Sequence, residues 1–141
     1  MTNPLEIFAR YLDSKNLKLT RERKAVLEEI FLHPGHLEAE ELAHALRRKK
    51  IRASRATIYR TLELLVDSGI VRKVDLGHGH SHYENVLGQT HHEHMVCLKC
   101  GKVIEFSDKR LEGSLKNLCE KAGFEHCYHY FQVFGYCKDC Q

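Results

Sequence analysis

No stretch of this chain approaches the roughly 18 consecutive apolar residues that a membrane-spanning helix requires. The N-terminal residues also lack the apolar core of a secretory leader. Neither an internal repeat nor a low-complexity tract occurs in the 141 residues, a length that suits one compact domain or two small ones. Strong charge of one sign is missing too, since 22 basic residues face 19 acidic ones for a net +3. The distribution is uneven. Residues 1–84 carry 15 Lys/Arg and 12 Asp/Glu, whereas residues 85–141 carry 7 of each, so the positive excess belongs to the N-terminal part alone. That points to an anionic partner for that part. Six cysteines without a leader argue against a secreted disulfide framework. Four of them form two Cys-x-x-Cys pairs, the usage expected of a metal protein in a reducing cytoplasm.

What is present reads as helices first. Leu5, Phe8 and Leu12 fall at helical spacing over residues 4–14. Thr20 is placed to cap a second helix over 23–31, with Val26, Leu27, Ile30 and Phe31 as its buried stripe. Pro34-Gly35 breaks it. A third helix is expected over 38–50, burying Leu42, Ala45 and Leu46, and a fourth from Ser54 to the stop at Ser68-Gly69. Residues 70–76 and 81–86 read as two strands joined by a His/Gly turn. Helices followed by a two-stranded wing predict a winged helix-turn-helix over residues 1–84. The polar segment 85–90 is the expected hinge. Beyond it come strands at 92–98 and 102–106, a helix over 107–122 with Leu111, Leu115 and Leu118 on one side, and a last strand over 125–136. Residues 91–141 are thus expected to be a small α+β domain whose strand edges invite pairing with a second copy. The whole is a mixed α/β chain of the α+β class.

The chemistry is concentrated in that second part. Cys97/Cys100 and Cys137/Cys140 supply four thiolates, the closed tetrahedral set that structural Zn²⁺ prefers. The His-His-Glu-His run at 91–94 offers imidazole and carboxylate, a harder set that suits iron, manganese or exchangeable zinc. Two chemically different sites side by side suggest a sensor. If the run is extended, His92 and His94 point one way and His91 and Glu93 the other. The first face is expected to gather His36 and Glu84 from across the hinge, with Glu105 as a fifth ligand. The second is expected to recruit Glu112 and His129. His78, His80 and His82 alternate in step with Glu84 and read as wing-tip residues facing DNA backbone or water. Cys119 and Cys127 read as small, mostly buried thiols.

In the fourth helix Ile58, Leu62, Leu65 and Val66 form the inward face, while Arg55, Tyr59 and Glu63 share another, flanked by Arg60. Long cations and an aromatic hydroxyl near a helix N-terminus suit a major-groove reader. The basic run at 47–52 adds a candidate phosphate footprint.

With these residues placed, the chain resembles the ferric uptake regulator family of bacterial metal-responsive repressors over nearly its whole length. The resemblance rests on Leu-Lys-Leu-Thr-Arg-Glu-Arg at 17–23, Ala-Thr-Ile-Tyr-Arg-Thr-Leu at 56–62, the 91–94 run and the two Cys pairs. It implies a homodimer or tetramer, an N-terminal winged helix, a C-terminal dimerisation domain and metal-dependent binding to AT-rich double-stranded operators. It also implies DNA contacts by Lys18, Arg23, Thr57, Tyr59 and Arg60, with Arg55 standing where many members have an aliphatic residue. His36, Glu84, His92, His94 and Glu105 match the family's hinge sensor site, and His91, Glu93, Glu112 and His129 its additional site. Glu93 replaces the more usual Asp, and the His-rich wing is unusual. Peroxide sensors typically have Asp at the positions of Glu84 and Glu105, and zinc sensors supply a Cys to the hinge site. Neither feature is present, so Fe²⁺ is the expected regulatory ion, with zinc, manganese or peroxide sensing as alternatives. Two readings of another class remain. A zinc hydrolase or deaminase would use His91-x-Glu93 with Cys97-x-x-Cys100, but the gap is short, no Pro precedes Cys97, and two Cys pairs leave no open position for water. No enzyme is therefore expected. A zinc-ribbon adaptor would show no metal-dependent change in DNA affinity.

Overall fold

Residues 3–77, 79–88, 91–127 and 129–141 are described by the computed structural model, and they fall into two compact units, Met1–Thr90 and His91–Gln141. His78 lies outside the described residues.

The first unit is built from helices whose ends are written in local sequence. Helix α1 (Pro4–Ser14) starts with the Asn3 side chain accepting from the Leu5 N–H and Pro at its first position. Helix α2 (Arg21–Leu32) is capped by Thr20, whose Oγ1 accepts from the Arg23 N–H at 3.3 Å. Helices α3 (Ala39–Arg48) and α4 (Arg55–Asp67) follow, the latter capped by Ser54, whose Oγ accepts from the Thr57 N–H at 3.1 Å. Helices α1, α3 and α4 end on a left-handed residue, Asn16, Lys50 and Gly69 respectively. In each the next N–H reaches back five residues, from Leu17 to Leu12, Ile51 to Leu46 and Ile70 to Leu65. Strands β2 (Val71–Asp75) and β3 (Ser81–Asn85) form the wing.

The wing has a third strand that the sequence reading did not contain. Strand β1 (Leu37–Glu38) pairs antiparallel with β3, Leu37 opposite Tyr83 and Glu38 opposite His82, giving the sheet order β1-β3-β2. Two residues are too few to show alternation, and the expected start of α3 at residue 38 took in the second of them. Phe8, Leu12, Val26, Ile30, Leu42, Leu46, Ile58, Leu62, Leu65 and Ile70 are at most 1% exposed and fill one core.

The second unit is a three-stranded sheet, β4 (Glu93–Cys97), β5 (Val103–Phe106) and β6 (Gln132–Gly135), in the order β5-β4-β6, with helix α5 (Lys109–Lys121) between β5 and β6. Strand β5 is antiparallel to β4, and β6 is parallel to it. Of the expected last strand over 125–136, in which residue 128 lies outside the described residues, Gln132–Gly135 form the strand, the described residues that reach the β4 register. Helix α5 buries none of its residues within this unit, and Leu118 is 64% exposed. Across the sheet, Ile104, Met95 and Val133 lie in one row and are 41–50% exposed.

Leu62→Ala removes a fully buried branch from beneath α4. It is expected to lower the unfolding free energy of the first unit by roughly 2–5 kcal/mol, read from urea denaturation followed by circular dichroism.

Candidate metal centres and nucleic-acid interface

The parallel pairing of β4 and β6 assembles the cysteines. Cys97 stands opposite Gly135, so both strands leave the sheet in the same direction and run into their Cys pairs together. Gly101, at φ 76°, lets the first pair turn back, and its N–H donates to the Cys97 carbonyl at 2.9 Å. The second pair closes in a 3₁₀ turn, Lys138–Cys140. The four sulfurs of Cys97, Cys100, Cys137 and Cys140 all lie within 4.8 Å of one another. The Cys100 and Cys137 sulfurs are 3.7 Å apart. A tetrahedron with 2.3 Å zinc–sulfur bonds has an edge of roughly 3.8 Å, so the residues fit such an ion. The backbone N–H of Cys100, then that of Cys137, points at the Cys97 sulfur and draws its thiol down to about 6. Cys140, held by the Cys137 thiol and partly buried, is pushed up to about 12. Metal ligation requires the thiolate form, which the N–H groups around Cys97 favour.

Strand β4 sends alternate residues to opposite faces, and each face carries a cluster. On one, His91, Glu93 and His129 bring ligand atoms within 4.8 Å of one another. His91 Nε2 lies 2.5 Å from Glu93 Oε1 and 3.1 Å from His129 Nε2, and Glu112 Oε1 stands 3.5 Å away. Glu93 is 3% exposed and is fixed because its other oxygen accepts from the Phe131 N–H at 2.8 Å. Burial lowers the pKa of His129, which favours the neutral ring that a ligand needs. His126, which the sequence reading passed over, places Nε2 3.0 Å from His129 Nδ1, the nitrogen facing away from the cluster.

On the other face, His92, His94 and Glu105 form a second group within 4.8 Å. Glu105 stands opposite His94 in the β4/β5 register, and its Oε1 is 3.8 Å from His92 Nε2. The first unit holds the other expected sensor residues. His36 follows Gly35, whose φ of 93° allows the sharp entry to β1, and Glu84 sits on β3. His36 Nε2 is 2.8 Å from Glu84 Oε2. Arg72, unmarked by the sequence reading, stands directly across from Glu84 on β2, and its Nε donates to Glu84 Oε1 at 2.7 Å. Burial alone would raise the Glu84 carboxyl, but hydrogen bonds from His36 and Arg72 and their charge outweigh it and hold it at about 2. Of the wing histidines, His82 is within 3.5 Å of Glu38 and His80 is exposed. Cys119 is half-buried, whereas Cys127 is exposed, contrary to its reading as a buried thiol, because it lies in the loop before β6 rather than in a strand.

Helix α4 turns Ile58, Leu62 and Leu65 inward and leaves Arg55, Tyr59 and Arg60 exposed. Arg23, Arg52, Thr57 and Arg60 line one groove beside the N-terminus of α4. The Arg23 guanidinium donates to the Lys18 carbonyl at 2.5 Å, tying the Lys18 loop to α2. Arg55 is paired at 2.8 Å with Glu40 of α3, a partner invisible in the helical spacing. In the 47–52 run, Lys49 is likewise engaged, 2.5 Å from buried Glu29.

A winged helix with an exposed basic reading face, followed by a unit carrying four clustered thiols and two imidazole–carboxylate clusters, defines a metal-binding DNA-binding regulator. The sequence matches the Ferric uptake regulator family over residues 14–134. It is 32% identical to the ferric uptake regulation protein of Campylobacter jejuni across 96% of this chain and 87% of that one. The structure resembles that of the Helicobacter pylori ferric uptake regulator, which reveals three functional metal-binding sites, at a TM-score of 0.72 and 27% identity over 99% of this chain and 94% of that one. It also resembles the Pseudomonas aeruginosa ferric uptake regulator with manganese, at a TM-score of 0.72 and 30% identity over 90% and 95% of the two chains. The chain belongs to the ferric uptake regulator family, and is a metal-responsive transcriptional regulator rather than an enzyme. The hydrolase and zinc-ribbon adaptor readings fall with that placement. No helix among the described residues is long and apolar enough to cross a membrane.

The Glu84 carboxyl titrates at about 2 when folded against 4.5 otherwise. Its depressed value means that its contribution is full above about pH 4.5 and is lost as pH falls toward 2. Metal-free protein is expected to lose on the order of 3 kcal/mol across that window. Glu84→Gln should flatten that part of a stability–pH curve measured by urea midpoints.

Proposed function

We propose that the protein is an Fe²⁺-responsive repressor of iron homeostasis, acting in the cytoplasm as a homodimer on double-stranded operator DNA. One observation carries the reading. A closed set of four thiols lies in the same unit as an imidazole–carboxylate set, His92, His94 and Glu105, that contains no thiol. In this reading Cys97, Cys100, Cys137 and Cys140 hold a structural Zn²⁺, whose chemistry is to fix the two Cys turns together. His36 and Glu84 from the first unit join His92, His94 and Glu105 from the second as the sensor ligands, with residues 85–90 as the hinge between domains 1–84 and 91–141. His91, Glu93, Glu112 and His129 form an additional site. Iron is favoured because all five sensor donors are nitrogen or carboxylate oxygen, without the thiolate that would select zinc. The same donors suit Mn²⁺, and a relative holding manganese makes a manganese sensor the second reading.

The exposed apolar residues of the second unit, among them Met95, Leu98, Ile104, Leu111, Leu118 and Val133, supply the face for a second copy. Lys18, Arg23, Arg55, Thr57, Tyr59 and Arg60 contact the operator, Arg55 after release from Glu40. Joining of the sensor ligands across the hinge restricts the two winged helices of a dimer to a separation matching grooves about 34 Å apart or a multiple. Moving the equilibrium from 1:99 to 99:1 takes ~5.5 kcal/mol of preferential binding to the closed form.

His92→Ala is expected to leave the four-cysteine zinc, the fold and the dimer intact while abolishing metal-stimulated operator binding. The check is anaerobic fluorescence anisotropy against Fe²⁺, Mn²⁺ and Zn²⁺. Repression with ordinary metal dependence in that variant would transfer the switch to the face bearing His91 and Glu93. Arg60→Ala should cost roughly 1–3 kcal/mol of operator affinity if its guanidinium reads a base. Wild-type affinity would remove Arg60 from the interface.

A further inference from the structure

Glu84 uses its two carboxylate oxygens differently. Oε1 accepts from Arg72 Nε at 2.7 Å and also from Arg72 Nη2, while Oε2 faces His36 Nε2 at 2.8 Å. Arg72 and Glu84 are 6% and 3% exposed and stand opposite each other in the β2/β3 register, so the pairing is fixed by the sheet. An arginine does not deprotonate in a protein. Separating a buried ion pair that the sheet register holds together is costly. The guanidinium therefore stays on Oε1 whatever arrives at Oε2.

We propose that Arg72 sets the detection threshold of the sensor by restricting Glu84 to a one-oxygen ligand and by placing a fixed positive charge beside the cation it must bind. This rests on the reading of His36 and Glu84 as sensor ligands. Two consequences follow from electrostatics. Charge drawn from the carboxylate by two N–H bonds makes Oε2 a poorer donor to a cation. A like charge a few ångströms away opposes binding of any divalent ion, and opposes it more strongly in a buried place. Affinity is lowered in both ways, and a regulator must release its ion when supply falls. Arg72 is thus a positioning residue that acts on the metal through Glu84.

The test is calorimetric titration of Mn²⁺ into the full-length protein with its cysteine site loaded with zinc, comparing wild type with Arg72→Gln and Arg72→Met. The Met variant keeps the aliphatic stem, and circular dichroism confirms the fold of each. Both variants are expected to bind Mn²⁺ about tenfold tighter or more. A merely structural role for Arg72 can only weaken binding, so a gain separates the two. Unchanged or weaker binding in folded variants overturns the proposal. A crystal structure of the wild-type protein with Mn²⁺ decides it without mutation. Arg72 on Oε1 with Mn²⁺ on Oε2 supports the proposal, and Mn²⁺ on both oxygens with Arg72 displaced overturns it. Loss of this Mn²⁺ in His92→Ala or His36→Ala is the separate check on the sensor reading. If both variants keep it, that reading fails rather than the role of Arg72 alone.

Discussion

Parallel strands need a crossover, because the chain must return to its starting edge before it can run the same way again. Strand β5 makes that return, running antiparallel to β4, and helix α5 then connects it to β6 on the other side of β4. The resulting register sets Cys97 opposite Gly135, and both chains then enter their Cys pairs side by side. An antiparallel β6 would have sent the second pair to the other end of the sheet. The same register puts Phe131 against Glu93, whose carboxylate accepts its N–H, and so brings His129 to His91. Two clusters, each joining residues more than thirty positions apart in sequence, are thus fixed by one strand pairing.

The strand at the centre has a second constraint. Neighbouring side chains on a pleated strand must leave on opposite faces, so residues 91–94 serve two clusters without mixing them. Five residues of β4 therefore connect two imidazole–carboxylate groups at one end to the cysteine cluster at the other. A change that shifted this strand by one residue would exchange the faces and empty both groups of their partners.

The two units differ in how they satisfy the hydrophobic effect. The first closes a core of its own, from Phe8 to Tyr83, and confines its buried charges to paired ones such as Glu29 with Lys49 and Glu84 with Arg72. The second leaves Met95, Ile104, Leu118, Phe124 and Val133 substantially exposed, and α5 buries nothing within it. A unit of this size gains little from its own core. Thiol-bound metal and a second copy, as proposed above, would offset that deficit by different means.

Much of this was legible in local sequence. Thr20 and Ser54 announce helix starts, and Ser68-Gly69 announces a stop, because caps satisfy backbone groups within a few residues. The Cys-x-x-Cys spacing and the alternation of His91, His92, Glu93 and His94 carry their chemistry in the same short range. The fold could not be read where partners are remote. Strand β1 is too short to show a period, and β6 is limited by its neighbour rather than by its own residues. Arg72 sits in an ordinary strand pattern and Glu40 on a helix face. Nothing near them in sequence names Glu84 or Arg55 as the groups they meet. Local elements and the kinds of donor atom follow from the amino-acid order alone, because propensity, capping and periodicity act over a turn or two. Tertiary structure decided which donors share a site and which charges restrain them, because strand direction and register are set by pairing across the sheet.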